Sequence, residues 1–184
     1  MEVRYFDNSA TTRIKEEVLT EMFPYLSREY GNPSSLYSIG RKSKRAIEEA
    51  RKRVASLINC KPEEIYFTSC GSESDNTALK GIAYENQNKG KHIITSKIEH
   101  PAILHSCQNL ENKGFEVTYL DVDKDGFVNL GTLENSIRPD TILISIMFAN
   151  NEIGTIEPIE EIAKIAHKNG IIFHTDAVQA CGNI

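Results

Sequence analysis

The chain has 184 residues, of which 40% are hydrophobic and 26% are charged, and its formal net charge at pH 7 is -5. This composition is typical of a soluble globular protein with one compact domain, and no apolar run approaches the roughly 20 residues that span a bilayer. Because proteins that track nucleic-acid phosphates usually carry a clear basic excess, we expect neither a nucleic acid nor a membrane as a partner.

The amino terminus and the cysteines indicate the cellular compartment. Residues 1–7 contain acidic and polar groups where a signal peptide needs a basic start and a long apolar stretch. The four cysteines form no C-x-x-C pair, which fits reduced thiols and argues against a zinc site. We therefore expect a cytoplasmic protein without a bound metal.

The first third of the chain predicts two helices. Apolar residues at helical spacing predict an amphipathic helix over residues 15–28 and a longer one over residues 38–59. Between them, the sequence GNPSS at residues 31–35 is typical of a turn. We interpret residues 1–15 as a lead-in segment and residues 16–184 as part of one larger domain.

Beyond residue 60, short β-branched or aromatic runs alternate with helical patterns. Strands are predicted over residues 65–68, 92–96, 116–120, 142–146 and 171–175, and further helices over residues 72–88, 101–113 and 158–168. Strands joined through helices imply a mostly parallel sheet, because parallel neighbours need a long crossover connection. The expected fold class is therefore α/β, with helices on both faces of the sheet.

Polar residues follow four of the predicted strands, at the edge where open α/β sheets bind ligands. After residue 68 come small polar residues in which Ser72 and Asp75 fit a capping box, at a helix N-terminus suited to a phosphate. His100 follows the second strand, an asparagine pair that includes Asn151 follows the fourth, and Asp176 ends the last. These four clusters, around residues 72, 100, 151 and 176, are expected to lie together at the carboxyl edge of the sheet and to form one rim around a ligand.

Each cluster alone has an ordinary structural explanation: a helix cap, a hydrogen-bonded histidine, a turn, and an N-cap aspartate. Together the four clusters provide a phosphate-binding helix N-terminus, an aromatic ring, amide donors and a carboxylate. Such a set suits a phosphorylated heteroaromatic cofactor, pyridoxal phosphate above all, because a carboxylate keeps the pyridine nitrogen protonated and makes the ring an electron sink.

Six motifs in register resemble those of the NifS/IscS-type cysteine desulfurases, which are class V aminotransferase-like enzymes of the fold type I that binds pyridoxal phosphate. The motifs are YFDNSATT at residues 5–12, GNPSS at 31–35, TS with ESDN at 68–69 and 73–76, EHP at 99–101, NNEIGT at 150–155 and HTDAVQ at 174–179. The resemblance covers essentially the whole chain. It implies the large cofactor-binding domain, with the rest of that domain and a small domain expected beyond residue 184.

The resemblance also implies pyridoxal 5'-phosphate as the cofactor and assigns residues to its phosphate and its ring face. Gly71 and Ser72 would hold the phosphate, and His100 would stack on the pyridine ring as a catalytic residue. This sequence departs from the usual family pattern by Cys70 in place of glycine and by Ser72 in place of threonine. We expect Cys70 to be a small buried thiol, in a tight loop that could require a positive φ.

The polar edge of the ring is assigned in the same way. Asp176 would pair with the pyridinium nitrogen, and Asn151 and Gln179 would reach the phenolic oxygen. The lysine that binds the cofactor covalently, the persulfide cysteine and the arginine for the substrate carboxylate are expected beyond residue 184. Lys97 is the only lysine expected near the rim, and it matches no lysine of the family.

The activity that the resemblance implies is conversion of L-cysteine to L-alanine, with the sulfur passing to an enzyme persulfide. Expected partners are L-cysteine, a second copy of the full-length chain in a homodimer, and an iron-sulfur scaffold or another sulfur-acceptor protein. The 184 residues alone are expected to be inactive, to retain the cofactor weakly, and to be marginally stable or oligomeric. By resemblance, two later strands would lie between residues 65–68 and the other four strands. Alternatives are a selenocysteine lyase, another class V aminotransferase-like enzyme, and a non-catalytic remnant.

Overall fold

The computed structural model describes residues 4–184, so the first three residues of the predicted lead-in segment lie outside the described part. The chain forms two compact units, of which the first ends at Phe67 and the second covers Thr68–Ile184. In the first unit, helix α1 spans Glu16–Ser27 and helix α2 spans Ser38–Leu57. Both helices lie within two residues of their predicted bounds, and a short 3-10 helix at Pro62–Glu64 was not predicted.

The predicted strand over residues 65–68 is wrong. Ile65 has extended backbone angles, but no neighbouring strand pairs with this segment among residues 4–184. Instead, Arg51 of α2 donates a hydrogen bond to the carbonyl oxygen of Ile65, and its guanidinium lies 4.9 Å from the ring centroid of Phe67. The β-branched and aromatic composition favours an extended backbone, whereas a strand also requires a partner for its backbone groups.

The second unit contains four parallel strands. They are β1 at His92–Ser96, β2 at Glu116–Leu120, β3 at Thr141–Ser145 and β4 at Ile172–His174. Their order in the sheet is β2-β1-β3-β4, and every pair is parallel. The predicted parallel α/β sheet is therefore confirmed, with strand bounds that differ from prediction by at most one residue.

Four helices connect and flank these strands. They are α3 at Gly71–Asn86, α4 at Pro101–Glu111, α5 at Leu130–Ser136 and α6 at Ile159–Lys168. Three were predicted, whereas α5 was missed because its seven residues include a glycine and bury only Leu133. Within residues 4–184, no helix is both long enough and apolar enough to cross a membrane.

The sheet has an apolar core on each face. Ile93 of β1 and Leu143 of β3 pack with side chains of α3 and α4, while their neighbours Ile94 and Ile144 pack with side chains of α5 and α6. Successive strand residues point to opposite faces, so the continuous apolar runs of β1 and β3 fit strands that are buried on both sides. Helices on both faces are thus confirmed.

His92 joins three strands at the amino-terminal edge of the sheet. It is 0% exposed, and its ring nitrogens lie 2.7 Å from Oγ1 of Thr141 and 2.8 Å from Oγ1 of Thr118. Burial lowers the pKa of His92 below its ordinary value, and the guanidinium of Arg138 acts in the same direction. The neutral ring is therefore the form that belongs to the folded state.

This depressed pKa predicts that His92 makes the protein less stable in acid. An unfolded histidine titrates near pH 6.5, so the stability contribution of His92 is complete above that pH and is lost as the pH falls through the folded pKa. We expect the free energy of unfolding, measured by urea titration from pH 7 to pH 5, to fall more for the wild type than for His92→Gln. His105→Gln, at an exposed position on α4, is the control. Equal pH dependence of the wild type and His92→Gln would contradict the neutral, buried ring.

Candidate functional site

The segments that follow β1, β3 and β4 meet at the carboxyl edge of the sheet. The N–H group of Phe148, three residues past β3, donates to the carbonyl oxygen of Asp176 at 2.9 Å. The side-chain amide of Asn150 donates to the carbonyl oxygen of Ile98 at 2.9 Å. Because these bonds tie the ends of three strands together, the segments carrying His100, Asn151 and Asp176 share one rim, as the sequence predicts.

The start of α3 approaches the segment after β4. Gly71 is the first residue of α3, and a Cβ atom added to it would lie 2.8 Å from Cγ2 of Val178. A side chain at this position would push the two segments apart. Ser72, the second residue, is exposed. Since the first N–H groups of a helix have no acceptor within the helix, Gly71 and Ser72 present donors at the rim.

The capping box predicted for Ser72 and Asp75 is wrong. The N-cap residue is Cys70, which makes no side-chain capping bond, and the side-chain contact at the helix start involves the preceding residue, Ser69. There, the N–H and the hydroxyl of Ser69 both donate to Oε2 of Glu73 at 2.6 Å. Helix α3 begins at Gly71, one residue earlier than predicted, and the hydroxyl of Ser72 is not used for capping.

The expectation that Cys70 is buried is also wrong. Its thiol is exposed, and its backbone has a φ of -168°, which any residue adopts. A backbone hydrogen bond from Glu73 lowers the pKa of the Cys70 thiol, and the hydroxyl of Ser69 acts in the same direction. The replacement of glycine therefore costs no backbone strain here.

His100 is held at the start of α4 by its own ring. Its Nδ1 atom accepts a hydrogen bond from the N–H of Ala102 at 3.1 Å, which makes His100 the N-cap residue, and Pro101 occupies the first helical position. The imidazole is exposed. Because Nδ1 is an acceptor, the proton of the neutral ring resides on Nε2. The ring is thus fixed at one end and open on its faces.

The two asparagines after β3 have different environments. Asn150 is buried, and its Oδ1 accepts hydrogen bonds from the N–H groups of Glu152 and Ile153 at 2.8 and 3.1 Å. It therefore supplies the turn that the sequence suggested as the ordinary explanation of this cluster. Asn151 is partly exposed, and its side-chain amide is not used by that turn. The predicted binding residue is the one of the pair that remains available.

Asp176 and Gln179 follow β4. Oδ1 of Asp176 accepts a hydrogen bond from the N–H of Val178 at 3.0 Å, a local turn that orients the carboxylate. Asp176 is partly exposed and Gln179 is exposed. Short turns, rather than a long helix, follow β4. The carboxylate of Asp176 therefore stabilises a turn, in addition to its predicted role as a ligand group.

Behind Asp176 lies an acid–histidine pair that the sequence did not reveal. Nε2 of His174 is 3.8 Å from Oδ1 of Asp75, and Nδ1 of His174 is 2.9 Å from Oγ of Ser145. Burial raises the pKa of Asp75 to about 6, and the carboxylate of Asp176 acts in the same direction. Burial lowers the pKa of His174, and Asp176 opposes that shift. Asp75 escaped prediction because its place in the first turn of α3 suggests an exposed dipole partner.

Glu99 is the second group that the sequence did not single out. It is 4% exposed, and its Oε1 accepts hydrogen bonds from the hydroxyl of Ser96 at 2.7 Å and from the N–H of Met147 at 3.0 Å. Its Oε2 atom is buried and has no hydrogen-bond partner among the described residues. Burial raises the pKa of Glu99 to about 8. Glu99 is buried because it lies between the ends of two strands that are distant in the sequence. The spacing of residues around Glu99 in the sequence does not predict this burial.

Lys97 points to a surface partner. Its Nζ atom lies 2.6 Å from Oδ1 of Asp121, which follows β2, and both side chains are largely exposed. This contact occupies the one lysine that the sequence placed near the rim. In residues 4–184, no group of three or more histidine, cysteine, aspartate or glutamate side chains is arranged to hold a metal ion.

The residues at this edge fit a phosphorylated aromatic ring. The N–H donors at the start of α3 lie next to the segment that carries Asp176. Only a glycine at position 71 allows this approach, since a Cβ atom there would lie 2.8 Å from Cγ2 of Val178. The exposed ring of His100 is available as a stacking face, and the partly exposed amide of Asn151 is available as a donor. The buried hydroxyl of Thr175, at the end of β4, has no partner among the described residues. This set matches the chemistry of pyridoxal phosphate, with anion donors, an aromatic neighbour and a carboxylate.

Comparison with known proteins identifies relatives that match nearly the whole chain. Residues 4–184 match the family model described as aminotransferase class-V. The "Cysteine desulfurase IscS" of Methanosarcina thermophila is 62% identical over 180 residues, which cover 98% of this chain and 45% of that protein. The chain thus spans about half the length of the curated relatives it matches.

Solved structures agree with the sequence relatives. One described as "NIFS-LIKE PROTEIN" has a TM-score of 0.93 and 44% identity, and covers 96% of this chain and 49% of its own. Another, described as "SspA in complex with cysteine", has a TM-score of 0.93 and 42% identity, and covers 97% of this chain and 51% of its own. Similarity at this level extends to the arrangement of the strands and helices around the rim.

Proposed function

The chain belongs to the aminotransferase class-V family, and we propose that it supplies the cofactor-binding half of a cysteine desulfurase that uses pyridoxal 5'-phosphate. The observation that carries this proposal is the convergence of the segments after β1, β3 and β4 with the start of α3 at one rim. The names of the relatives support the reaction, and the relative solved with cysteine supports the substrate.

Bound pyridoxal phosphate withdraws electrons from the α-carbon of an amino acid, and the residues of this chain hold it in the form that does so. The N–H groups of Gly71 and Ser72 bind the phosphate at the positive end of α3, and the hydroxyl of Ser72 adds a donor. The carboxylate of Asp176 keeps the proton on the ring nitrogen, because an adjacent negative charge favours the protonated form.

The remaining predicted residues set the position of the ring. His100 stacks on its face, and the bond from Ala102 to Nδ1 leaves Nε2–H as the donor of the imidazole. Asn151 and Gln179 donate to the phenolic oxygen. A ring clamped on one face, at its nitrogen and at its oxygen cannot turn away from the substrate, and such fixed orientation contributes much of the rate in enzymes.

We extend the proposal to the complete protein. It converts L-cysteine to L-alanine, transfers the sulfur through a persulfide to an iron-sulfur scaffold or another acceptor, acts in the cytoplasm and forms a homodimer. The residue that binds the cofactor covalently and the cysteine that receives sulfur are contributed by parts of the protein other than residues 4–184. The names of the relatives support the desulfurase reaction, and the other parts of this proposal rest on the family resemblance alone.

The proposal predicts a measurable stoichiometry. The purified full-length protein, loaded with pyridoxal phosphate, is expected to release alanine and, with a thiol reductant present, sulfide in equal amounts from L-cysteine. Protein stripped of the cofactor is the control and should release neither. Turnover of selenocysteine alone would favour a selenocysteine lyase. Tight cofactor binding without turnover of either substrate would contradict the proposed activity and indicate a non-catalytic cofactor-binding protein.

A further inference from the structure

Glu99 lies where the end of β1 meets the segment after β3. Its Oε1 atom accepts one hydrogen bond from the hydroxyl of Ser96 in β1 and another from the N–H of Met147 beyond β3. A single carboxyl group thus joins the two central strands at the rim. The side chain is 4% exposed, and its second oxygen is buried without a hydrogen-bond partner within residues 4–184. A buried acidic group in this state destabilises the folded protein when it is ionised, and does so much less when it stays uncharged.

The contacts of Glu99 lead directly to the cofactor-binding residues of the proposed function. Met147, which Glu99 holds, precedes Phe148, whose N–H bonds to the carbonyl oxygen of Asp176. Glu99 also lies beside His100 in the chain, so its fixed position sets where the stacking histidine begins α4. Movement of the Glu99 carboxyl group would therefore shift both His100, at the face of the proposed cofactor ring, and Asp176, at its nitrogen.

A second chain of contacts connects the segment of Glu99 to Asn151, the residue proposed to bind the phenolic oxygen of the cofactor. The carbonyl oxygen of Ile98, next to Glu99, accepts the side-chain amide of Asn150, which precedes Asn151. Thus the segment centred on Glu99 is bound to the turn that presents Asn151. The carboxyl group of Glu99 is therefore linked to Asp176 through Met147 and Phe148, whereas the segment that contains Glu99 carries His100 and is bonded through Ile98 to the turn of Asn151.

We propose that Glu99 is a positioning residue that acts as a neutral carboxylic acid, joining the ends of β1 and β3 so that His100, Asn151 and Asp176 keep their places around the cofactor. The inference rests on the proposed function, because it concerns the residues that bind pyridoxal phosphate there. It adds a residue that touches neither the cofactor nor the substrate but fixes the groups that do.

The charges around Glu99 favour the neutral form. The titratable groups that face it are Asp176 after β4, Glu157 before α6 and Cys107 on α4, and none of them supplies a positive charge. Burial is the main reason that the pKa of Glu99 rises to about 8, and Asp176 and Glu157 act in the same direction. A neutral Glu99 leaves Asp176 as the carboxylate that meets the protonated ring.

The first test separates positioning from general stability by comparing two buried glutamates. Glu99→Ala removes the link between the strand ends, and Glu99→Gln keeps an oxygen acceptor and is uncharged. Glu157→Ala is the matched control, since Glu157 is 3% exposed and also has one oxygen without a partner in the described part of the chain, but its other oxygen accepts a hydrogen bond from the N–H of Val128. The affinity of the full-length protein for pyridoxal phosphate is measured by absorbance titration, and thermal unfolding is measured for each variant.

We expect Glu99→Ala to weaken cofactor binding about 10-fold or more, which is the effect of losing the hydrogen bonds of one buried group. Glu99→Gln should restore most of that loss. Glu157→Ala should lower the unfolding temperature while leaving the cofactor affinity within about twofold of the wild type, because its side-chain carboxylate bonds to Val128 and the substitution keeps the backbone bond from Glu157 to Phe148. Wild-type affinity in Glu99→Ala would overturn the positioning role, and failure of Glu99→Gln to rescue binding would overturn the neutral form.

The second test needs no cofactor. A glutamate whose pKa is raised in the folded state binds its proton more tightly there, so the stability of the wild type relative to Glu99→Gln should fall as the pH rises from about 4.5 to about 8. A difference that stays constant over that range would overturn the neutral carboxylic acid. If the wild type itself bound no pyridoxal phosphate, the proposed function and the positioning role would both fail, while this pH measurement would still decide the protonation state of Glu99.

Discussion

Replacing Asp176 with alanine is expected to lower the rate of alanine formation from cysteine by about 10²- to 10³-fold, the usual cost of removing one partner from a desolvated charge pair. In the proposed site, this carboxylate keeps the ring nitrogen protonated, and without it the ring withdraws electrons poorly. The effect should appear in the maximal rate at saturating cofactor as well as in cofactor affinity. The rate is measured as alanine released by the full-length protein.

Asp121→Ala provides the control for Asp176. Asp121 also follows a strand at the carboxyl edge of the sheet, but it pairs with Lys97 at the surface, 2.6 Å away. Exposed ion pairs contribute little, about 0 to 1 kcal/mol, so activity should remain within about twofold of the wild type. Equal losses in the two variants would mean that negative charge at the rim, rather than the placement of Asp176, supports the reaction.

Replacing Ile144 with alanine is expected to destabilise the protein by about 2 to 5 kcal/mol, because large-to-small changes in a packed core lose both transfer free energy and packing. Ile144 is 0% exposed in central strand β3, where it lies in register with Ile94 on one side and Phe173 on the other. Its cavity would open between the sheet and the helices α5 and α6. Urea unfolding, followed by circular dichroism, measures the loss.

The same substitution at Ile172 is the matched control. Ile172 is 40% exposed in edge strand β4, so truncation there removes fewer buried contacts and should cost clearly less. The two variants change the same side chain in adjacent strands, which isolates the effect of burial. If Ile172→Ala destabilised the protein as much as Ile144→Ala, Ile172 would have to be far more buried than its 40% exposure indicates.

The parallel sheet could be predicted because its central strands carry a signal that needs no tertiary information. The run from Ile93 to Thr95 is apolar or β-branched on both faces, and helical patterns lie on either side of it. Residues 65–68 carry a similar composition but form no strand, since pairing depends on a neighbour rather than on the segment itself. Helix α5 escaped prediction for the opposite reason, because it is too short to establish a helical period.

At the candidate site, the sequence predicted which segments meet but not which groups are buried. His100, Asn151 and Asp176 follow predicted strands, and the parallel topology alone places such residues at one edge. Glu99 and Asp75 looked like polar companions of these motifs, yet both are buried. Their burial arises from contacts between distant segments, and the spacing of residues in one segment does not contain that information.

The crossovers that make every strand parallel also determine when the site can assemble during synthesis. Gly71 opens α3 and Asp176 follows β4, and the rim needs both. About 100 residues separate them, which a ribosome adds in roughly 5 to 20 s. For that interval the nascent chain carries the proposed phosphate-binding helix end without its proposed carboxylate counterpart, so the proposed function places capture of the cofactor after β4 has joined the sheet.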